Sequence, residues 1–212
     1  LRSYFNASSR SDSVDSGAKW FPYNKGGEFR RWWGNRSLVV NWRHDGADYY
    51  EYIDSHPGCG TRVQGVDCYF RPCVSWSNVS SGDVSFRFFD SSSLFGHKGS
   101  AVFSGAYSDL LKYLAFLNSA VVGTLAEYIA PTVMLEVGQV KNLPWIEPES
   151  FDSDSAGVER LIDIFRADWD ARETSWDFAR PPYLRGGHSL LQDVFDDWYR
   201  RSCGIADEAQ RL

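Results

Sequence analysis

Residues 1–18, with the run S-S-R-S-D-S-V-D-S-G, show no hydrophobic period and read as a linker or flexible loop. From 19 to 105, short β-favouring runs (38–42, 63–70, 74–76, 84–89 and 101–103) alternate with Gly, Asn, Asp and Ser. They predict strands of a twisted, largely antiparallel sheet. Ser108 then caps a predicted helix running to about residue 130, with Leu110, Leu114, Leu117, Val121, Leu125 and Tyr128 at steps of four and three. Its opposite face is also poor in charge, so it is expected to be buried centrally. Lys112, Asn118 and Glu127 divide its apolar stretch, which argues against a membrane span. Pro131 ends it, 132–137 reads as a further strand with Gly138 at a turn, and Leu143-Pro144 closes the globular unit.

Glu147-Pro148-Glu149-Ser150 begins an acidic connector. A second helix follows, with Val158, Leu161, Ile162, Phe165 and Trp169 at helical spacing. Beyond Pro181-Pro182, a third opens on Ser189 and Gln192 as a capping box, with Leu191, Val194 or Phe195, and Trp198 on one side. The expected architecture is α+β: a mainly antiparallel sheet domain with a central buried helix over 19–147, then a helical spacer or docking segment over 148–212.

The 212 residues suffice for one large domain, or a domain with an appendage. The chain starts at Leu1 rather than Met, so a piece excised from a longer protein is expected, and a cytoplasmic location is expected separately. The net charge of −6 argues against a nucleic-acid binder, but its distribution argues otherwise. Between Lys19 and Arg43 six Lys/Arg stand against Glu28 alone, a local +5, whereas from Trp145 onward eight Lys/Arg meet fifteen Asp/Glu, a local −7. A locally basic face on an acidic body still suits a polyanion.

That basic segment, K-W-F-P-Y-N-K-G-G-E-F-R-R-W-W-G-N over 19–35, carries the candidate chemistry. Bulky rings beside Gly26-Gly27 point to a rigid surface loop, and interleaved cations and rings suit a phosphate backbone or an unstacked base. The equal alternative is that Trp20, Phe21, Trp32 and Trp33 pack a β-rich core while the cations are solvated. Alternation along Ser85-Phe86-Arg87-Phe88 places Arg87 opposite both rings, facing water or DNA. Cys59, Cys68, Cys73 and Cys203 lack the spacing of a zinc ribbon; His56 with Cys59, Cys68 and Cys73 could assemble only an irregular site, and reduced thiols are the expectation. His44 beside Asp45, and His188, read as loop residues, and Asp168, Asp170, Glu173 and Asp177 as caps and surface charges rather than a metal cluster. No Walker loop or serine elbow is present.

The 19–35 segment resembles the opening of the target-recognition region of the PglX family, large adenine-specific DNA methyltransferases of phage-exclusion (BREX) systems related to type IIG and type IIL restriction-modification enzymes. The same region is resembled, in order, by Ser75-Trp76-Ser77 with Ser80-Ser81, Gly99-Ser100-Ala101-Val102-Phe103, Leu117-Asn118-Ser119, Pro131-Thr132 with Gly138 and Leu143-Pro144, Asp168-Trp169-Asp170, and Glu173 to Phe178. Cys73 stands where glycine is expected, and the loop over 58–67 is individual. The resemblance implies a DNA sequence-recognition fragment, with S-adenosylmethionine held by a separate methyltransferase domain of the same chain. Double-stranded DNA would be the main partner, with other defence-system proteins docking the acidic helical part as the alternative role. Lys19, Lys25, Arg30, Arg31, Arg43 and Arg87 would contact phosphates, Tyr23, Trp32 and Trp33 would wall the DNA cleft, and Ser75, Ser77, Ser80 and Ser81 would donate to DNA or form turns. Adenine-N6 transfer also needs a Gly-rich cofactor loop, which is not found, and an Asn/Asp-Pro-Pro-aromatic corner. Arg180-Pro181-Pro182-Tyr183 imitates the corner, but arginine cannot accept a hydrogen bond from an amino group. The fragment is expected to have no catalytic residue and no cofactor of its own.

Overall fold

A computed structural model of the chain describes residues 9–79, 83–130, 134–147, 155–185 and 190–212. Ser80, Ser81, Pro131, Thr132, His188 and Ser189 lie outside them. The chain divides into two units, Leu1–Glu147 and Pro148–Leu212. Among the described residues seven helices and two three-stranded sheets make an α+β fold.

In the first sheet, β1 (Trp20–Asn24) lies between antiparallel β2 (Val39–Asn41) and parallel β5 (Leu94–Phe95). In the second, β3 (Cys73–Ser77) lies between β4 (Phe86–Phe89) and β6 (Gly99–Phe103), both antiparallel, with Val74 opposite Phe88 and Val102. All four residues of β4 and the first four of β3 are buried, so both faces of this sheet are covered. One face packs Phe86, Phe88 and Trp76 with Leu110, Leu111 and Leu114 of α3 (Tyr107–Leu117) into the core. The sheets are tied at buried Asn24, whose Nδ2 donates to Ser75 Oγ at 2.6 Å, while its carbonyl accepts from Gly96 N–H just past β5 at 2.9 Å.

Four sequence expectations change. Residues 9–16 are not a linker: Ser9 and Asp12 form a capping box that starts α1 (Arg10–Asp15). The Ser13 hydroxyl donates to the Trp42 carbonyl and accepts from Asp45 N–H, while Arg10 pairs with Asp45 at 3.1 Å. The partner element is α2 (Arg43–Ser55), which begins with a left-handed turn at His44, Asp45 and Gly46 and has no clear apolar stripe to betray it.

Residues 63–70 form no strand. Gly65 (φ 69°) turns the chain into a 3-10 turn, Val66–Cys68, and Tyr69 drops into a cluster with Phe21, Trp42 and Leu94. The long central helix is two helices, because Ser119 adopts an extended backbone and caps α4 (Ala120–Ile129) by accepting from Val122 N–H. Asn118, between them, turns its amide onto β4: Phe86 N–H donates to Oδ1 at 3.1 Å and Nδ2 donates to the Phe86 carbonyl at 3.0 Å. Finally, Met134 bridges Val79, but α5 (Val137–Lys141) follows at once, so Gly138 lies inside a helix.

In the second unit, α6 (Ser155–Asp170) buries Val158, Leu161, Ile162, Ile164 and Trp169. Arg160 forks onto Glu208 of α7 (Leu191–Arg211) at 2.6 and 2.9 Å. Leu190 rather than Ser189 stands at the α7 N-cap, and its side chain makes no capping bond.

Candidate nucleic-acid interface

The segment after β1 is a loop laid along the outer edge of β4. Gly26 (φ 79°) and Gly27 (φ 145°) turn it in backbone conformations that L side chains rarely adopt. At Gly26 the fit is also tight, since a Cβ there would sit 2.8 Å from the Lys98 carbonyl. Gly27 N–H donates to Ser77 Oγ at 2.9 Å, and that hydroxyl donates back to the Gly27 carbonyl at 2.8 Å. Asn35 Nδ2 holds the Glu28 carbonyl at 2.8 Å, and Arg30 N–H donates to Ser85 Oγ at 3.2 Å. Trp32 (φ 66°) then pairs like a fourth strand, donating N–H to Phe86 O and accepting from Phe88 N–H, each at 2.9 Å.

This loop covers the second face of β4, which corrects the reading of Arg87. Alternation places it opposite Phe86 and Phe88, yet it is 0% exposed. Its guanidinium donates to the Arg30 carbonyl at 3.4 Å and to Ser77 Oγ at 3.0 Å, while Nε has no partner. Burial lowers its pKa to about 10. Arg87 therefore fastens the loop from beneath and does not reach a phosphate. Ser75 is likewise fully buried, donating to the Ser100 carbonyl at 2.7 Å and accepting from Asn24, and Ser77 is committed to the loop.

The aromatic residues divide between the two alternatives. Phe21 and Trp33 are core; the Trp33 ring stacks beside Phe88 at 6.5 Å and carries the Arg36 guanidinium at 3.7 Å. Arg36 also pairs with Asp90 at 3.1 Å. Trp32 is half-buried, and Tyr23 points into a cavity between the sheets rather than toward the loop surface. Trp20 and Phe29 are exposed.

The cations do not form one ribbon. Arg43 lies 3.7 Å from Asp48, whose carboxyl is held below its usual range by the Asn41 amide and by the charges of Arg43 and Lys19. Those two stand at the start of β1, and the five-residue strand (~17 Å) separates them from the loop. At the loop itself Lys25 is exposed, Arg30 and Arg31 are half-buried, and the Arg31 guanidinium lies 5.6 Å over the Phe29 ring. Two residues escape the sequence reading: exposed Phe29, hidden among six other rings and prolines of the segment, and exposed Lys98, whose turn abuts Gly26 only in three dimensions.

Among the described residues no three His, Cys, Asp or Glu side chains gather as a metal site. Cys73 is buried in β3, with its thiol pushed up to about 12 by burial, while Cys59 is exposed and Cys68 half-buried. Asp168 pairs with Arg172 at 3.2 Å, and Asp170 accepts from Ser175 at 2.6 Å. No described helix is long and apolar enough to cross a membrane.

No family model matches the sequence. Two curated proteins do. The adenine-specific methyltransferase PglX of Lacticaseibacillus casei (strain Zhang) is 37% identical over 175 residues, 81% of this chain and 14% of PglX. The adenine-specific methyltransferase BrxX of Escherichia coli O9:H4 (strain HS) is 34% identical over 172 residues, 80% of this chain and 13% of BrxX. The chain thus spans about one seventh of either relative. At that identity over four fifths of its residues, the chain is a PglX-like region related to adenine-specific methyltransferases.

Proposed function

We propose that the chain is the DNA target-recognition region of a site-specific adenine-N6 DNA methyltransferase serving phage exclusion or restriction-modification, the S-adenosylmethionine site and the chemistry lying in another domain of the same enzyme. One observation carries the reading: the Gly26–Gly27 loop is fastened to the sheet by Ser77, Ser85 and Arg87, is braced internally by Asn35, and carries exposed Lys25 and Phe29 with half-buried Arg30 and Arg31. A loop ordered in advance loses little conformational entropy on binding, and its cations position a phosphate backbone while variable neighbours read base edges. Similarity to two adenine-specific methyltransferases supplies the enzymatic context.

The test is duplex binding by fluorescence anisotropy across a salt series, with the longer enzyme carrying the Arg30→Glu/Arg31→Glu pair. The expected result is weaker binding and a log–log salt slope smaller by about two units at most. Unchanged affinity in a folded variant removes this loop from the DNA surface.

A second role is favoured for α7, which exposes Leu191, Phe195 and Tyr199, 82%, 54% and 56% accessible, on an acidic segment. This is the docking reading: the helix would seat on the methyltransferase domain or another defence-system protein. Deleting 148–212 separates the roles, since loss of assembly with retained DNA recognition assigns docking to this segment.

A further inference from the structure

A cavity of about 400 Å³ lies between the two sheets of the first unit, in the range that takes a small organic ligand. Its walls are rings: Trp42, Tyr49, Tyr69 and Phe95 line it, with Trp42–Tyr69 and Tyr69–Phe95 centroids 5.1 and 5.0 Å apart and edge to face. Tyr23 enters from β1 and its hydroxyl fits because residue 96 is glycine; a Cβ there would overlap it. None of these residues belongs to the loop assigned above to the phosphate backbone.

The polar groups of the cavity are unspent. Among the described residues the phenol oxygens of Tyr23, Tyr49 and Tyr69 pair with no protein group, and none of them is sealed from solvent. Burial pushes the Tyr69 phenol up to about 12 and raises that of Tyr23, so both stay O–H donors at neutral pH. Arg62, Gln64 and His97 line the same space, adding a cation, an amide and an imidazole. Phenols that open on a ring-lined space beside an arginine offer a ligand directed donors at the edge of an apolar wall. A flat ring with acceptors at its edge would lie against the aromatic walls, take bonds from the phenols and Gln64, and set an attached phosphate on Arg62. An acyl chain would leave all of those groups unmatched.

We propose that this cavity binds a nucleobase carrying a phosphorylated sugar, either as a free nucleotide or as a base extruded from a nucleic-acid strand. The proposal stands apart from the loop's contact with DNA, and two arms separate the sources. Calorimetric titration of the chain with the four 2′-deoxynucleoside 5′-monophosphates measures free-nucleotide binding. Anisotropy with matched and singly mismatched duplexes measures extrusion, which costs least at a mismatch. Binding of at least one mononucleotide, weakened about tenfold by Tyr49→Phe and by Arg62→Gln, assigns a nucleotide site. A roughly tenfold preference for the mismatch that Tyr49→Phe abolishes assigns an extruded base. Both substitutions keep the walls, Tyr49→Phe its ring and Arg62→Gln an exposed position. The proposal is overturned if no mononucleotide binds at 10 mM (~10⁴ times a Kd of about 1 μM) and the mismatch brings no preference, or if binding is indifferent to both substitutions. Loss of duplex binding alone falls on the loop reading, and the mononucleotide arm then decides.

Discussion

Arg87→Met tests the central feature of the loop's attachment, a buried cation that pairs with no carboxylate among the described residues. Burial lowers the guanidinium pKa from 12.5 to about 10, and that difference of 2.5 units corresponds to about 3 kcal/mol against the charged form. The 3.0 Å bond to Ser77 and the 3.4 Å bond to the Arg30 carbonyl return about 2–3 kcal/mol. Methionine keeps most of the side-chain volume and removes both contributions, so unfolding stability should stay within about 1 kcal/mol of wild type. Arg87→Ala also leaves a void and should cost about 3 kcal/mol. The pH dependence has a definite sign. The folded-state pKa of this base is depressed, so the charged form burdens the native state below pH 10, and the burden is relieved as pH rises toward 12.5. Urea titrations followed by tryptophan fluorescence should show wild type gaining about 1 kcal/mol on Arg87→Met between pH 9 and 11. A Met variant as damaged as the Ala variant, or no pH-dependent gain, refutes this account of Arg87.

Three further outcomes follow from the same packing. Gly26→Ala should cost about 2 kcal/mol or more in urea unfolding, because a Cβ would meet the Lys98 carbonyl at 2.8 Å; Gly17→Ala, with a similar φ of 68° and open space, should cost only about 1 kcal/mol. Asn118→Ala should cost about 2–3 kcal/mol in the same assay, since it orphans the buried Phe86 N–H, and Asn118→Asp should not rescue it fully, because a carboxylate cannot donate to the carbonyl. Cys73 should resist iodoacetamide at pH 8 in the folded chain while exposed Cys59 is alkylated, as read by peptide mass spectrometry; equal rates would contradict a thiol raised to about 12.

The regular elements were legible where one physical rule acted alone. The runs at 38–42, 74–76, 84–89 and 101–103 each coincide with an observed strand in whole or part, and the stripe over 158–169 marks the buried side of α6. Misreadings came where a local signal competed with that rule. The Asn118-Ser119 pair interrupts an unbroken apolar stripe, and its composition, a hydrogen-bonding amide followed by a favoured cap residue, was the available sign. Ser9-Arg10-Ser11-Asp12 spells a capping box inside a stretch too polar to look folded. Arg87 shows a different limit. Period-2 alternation gave its direction correctly, but which faces of a strand are covered depends on a loop fifty residues away in sequence, and no local pattern carries that.

The same distance limit explains why charge counting misjudged the basic segment. A local +5 over 19–43 treats all six cations as available. In three dimensions Arg36 is spent on Asp90 and the Trp33 face, Arg43 leans on Asp48, and Lys19 stands beside that same carboxylate at the far end of β1. Lys25, Arg30 and Arg31 stand on the loop, and even three phosphate contacts there would give a slope of only about 3. Electrostatics of that size cannot by itself hold a duplex in an acidic chain at physiological salt. The proposed recognition must therefore draw on shape: a loop whose glycines, clamped carbonyls and strand-like Trp32 are set before DNA arrives, with the rest of the enzyme closing the grip from the opposite side.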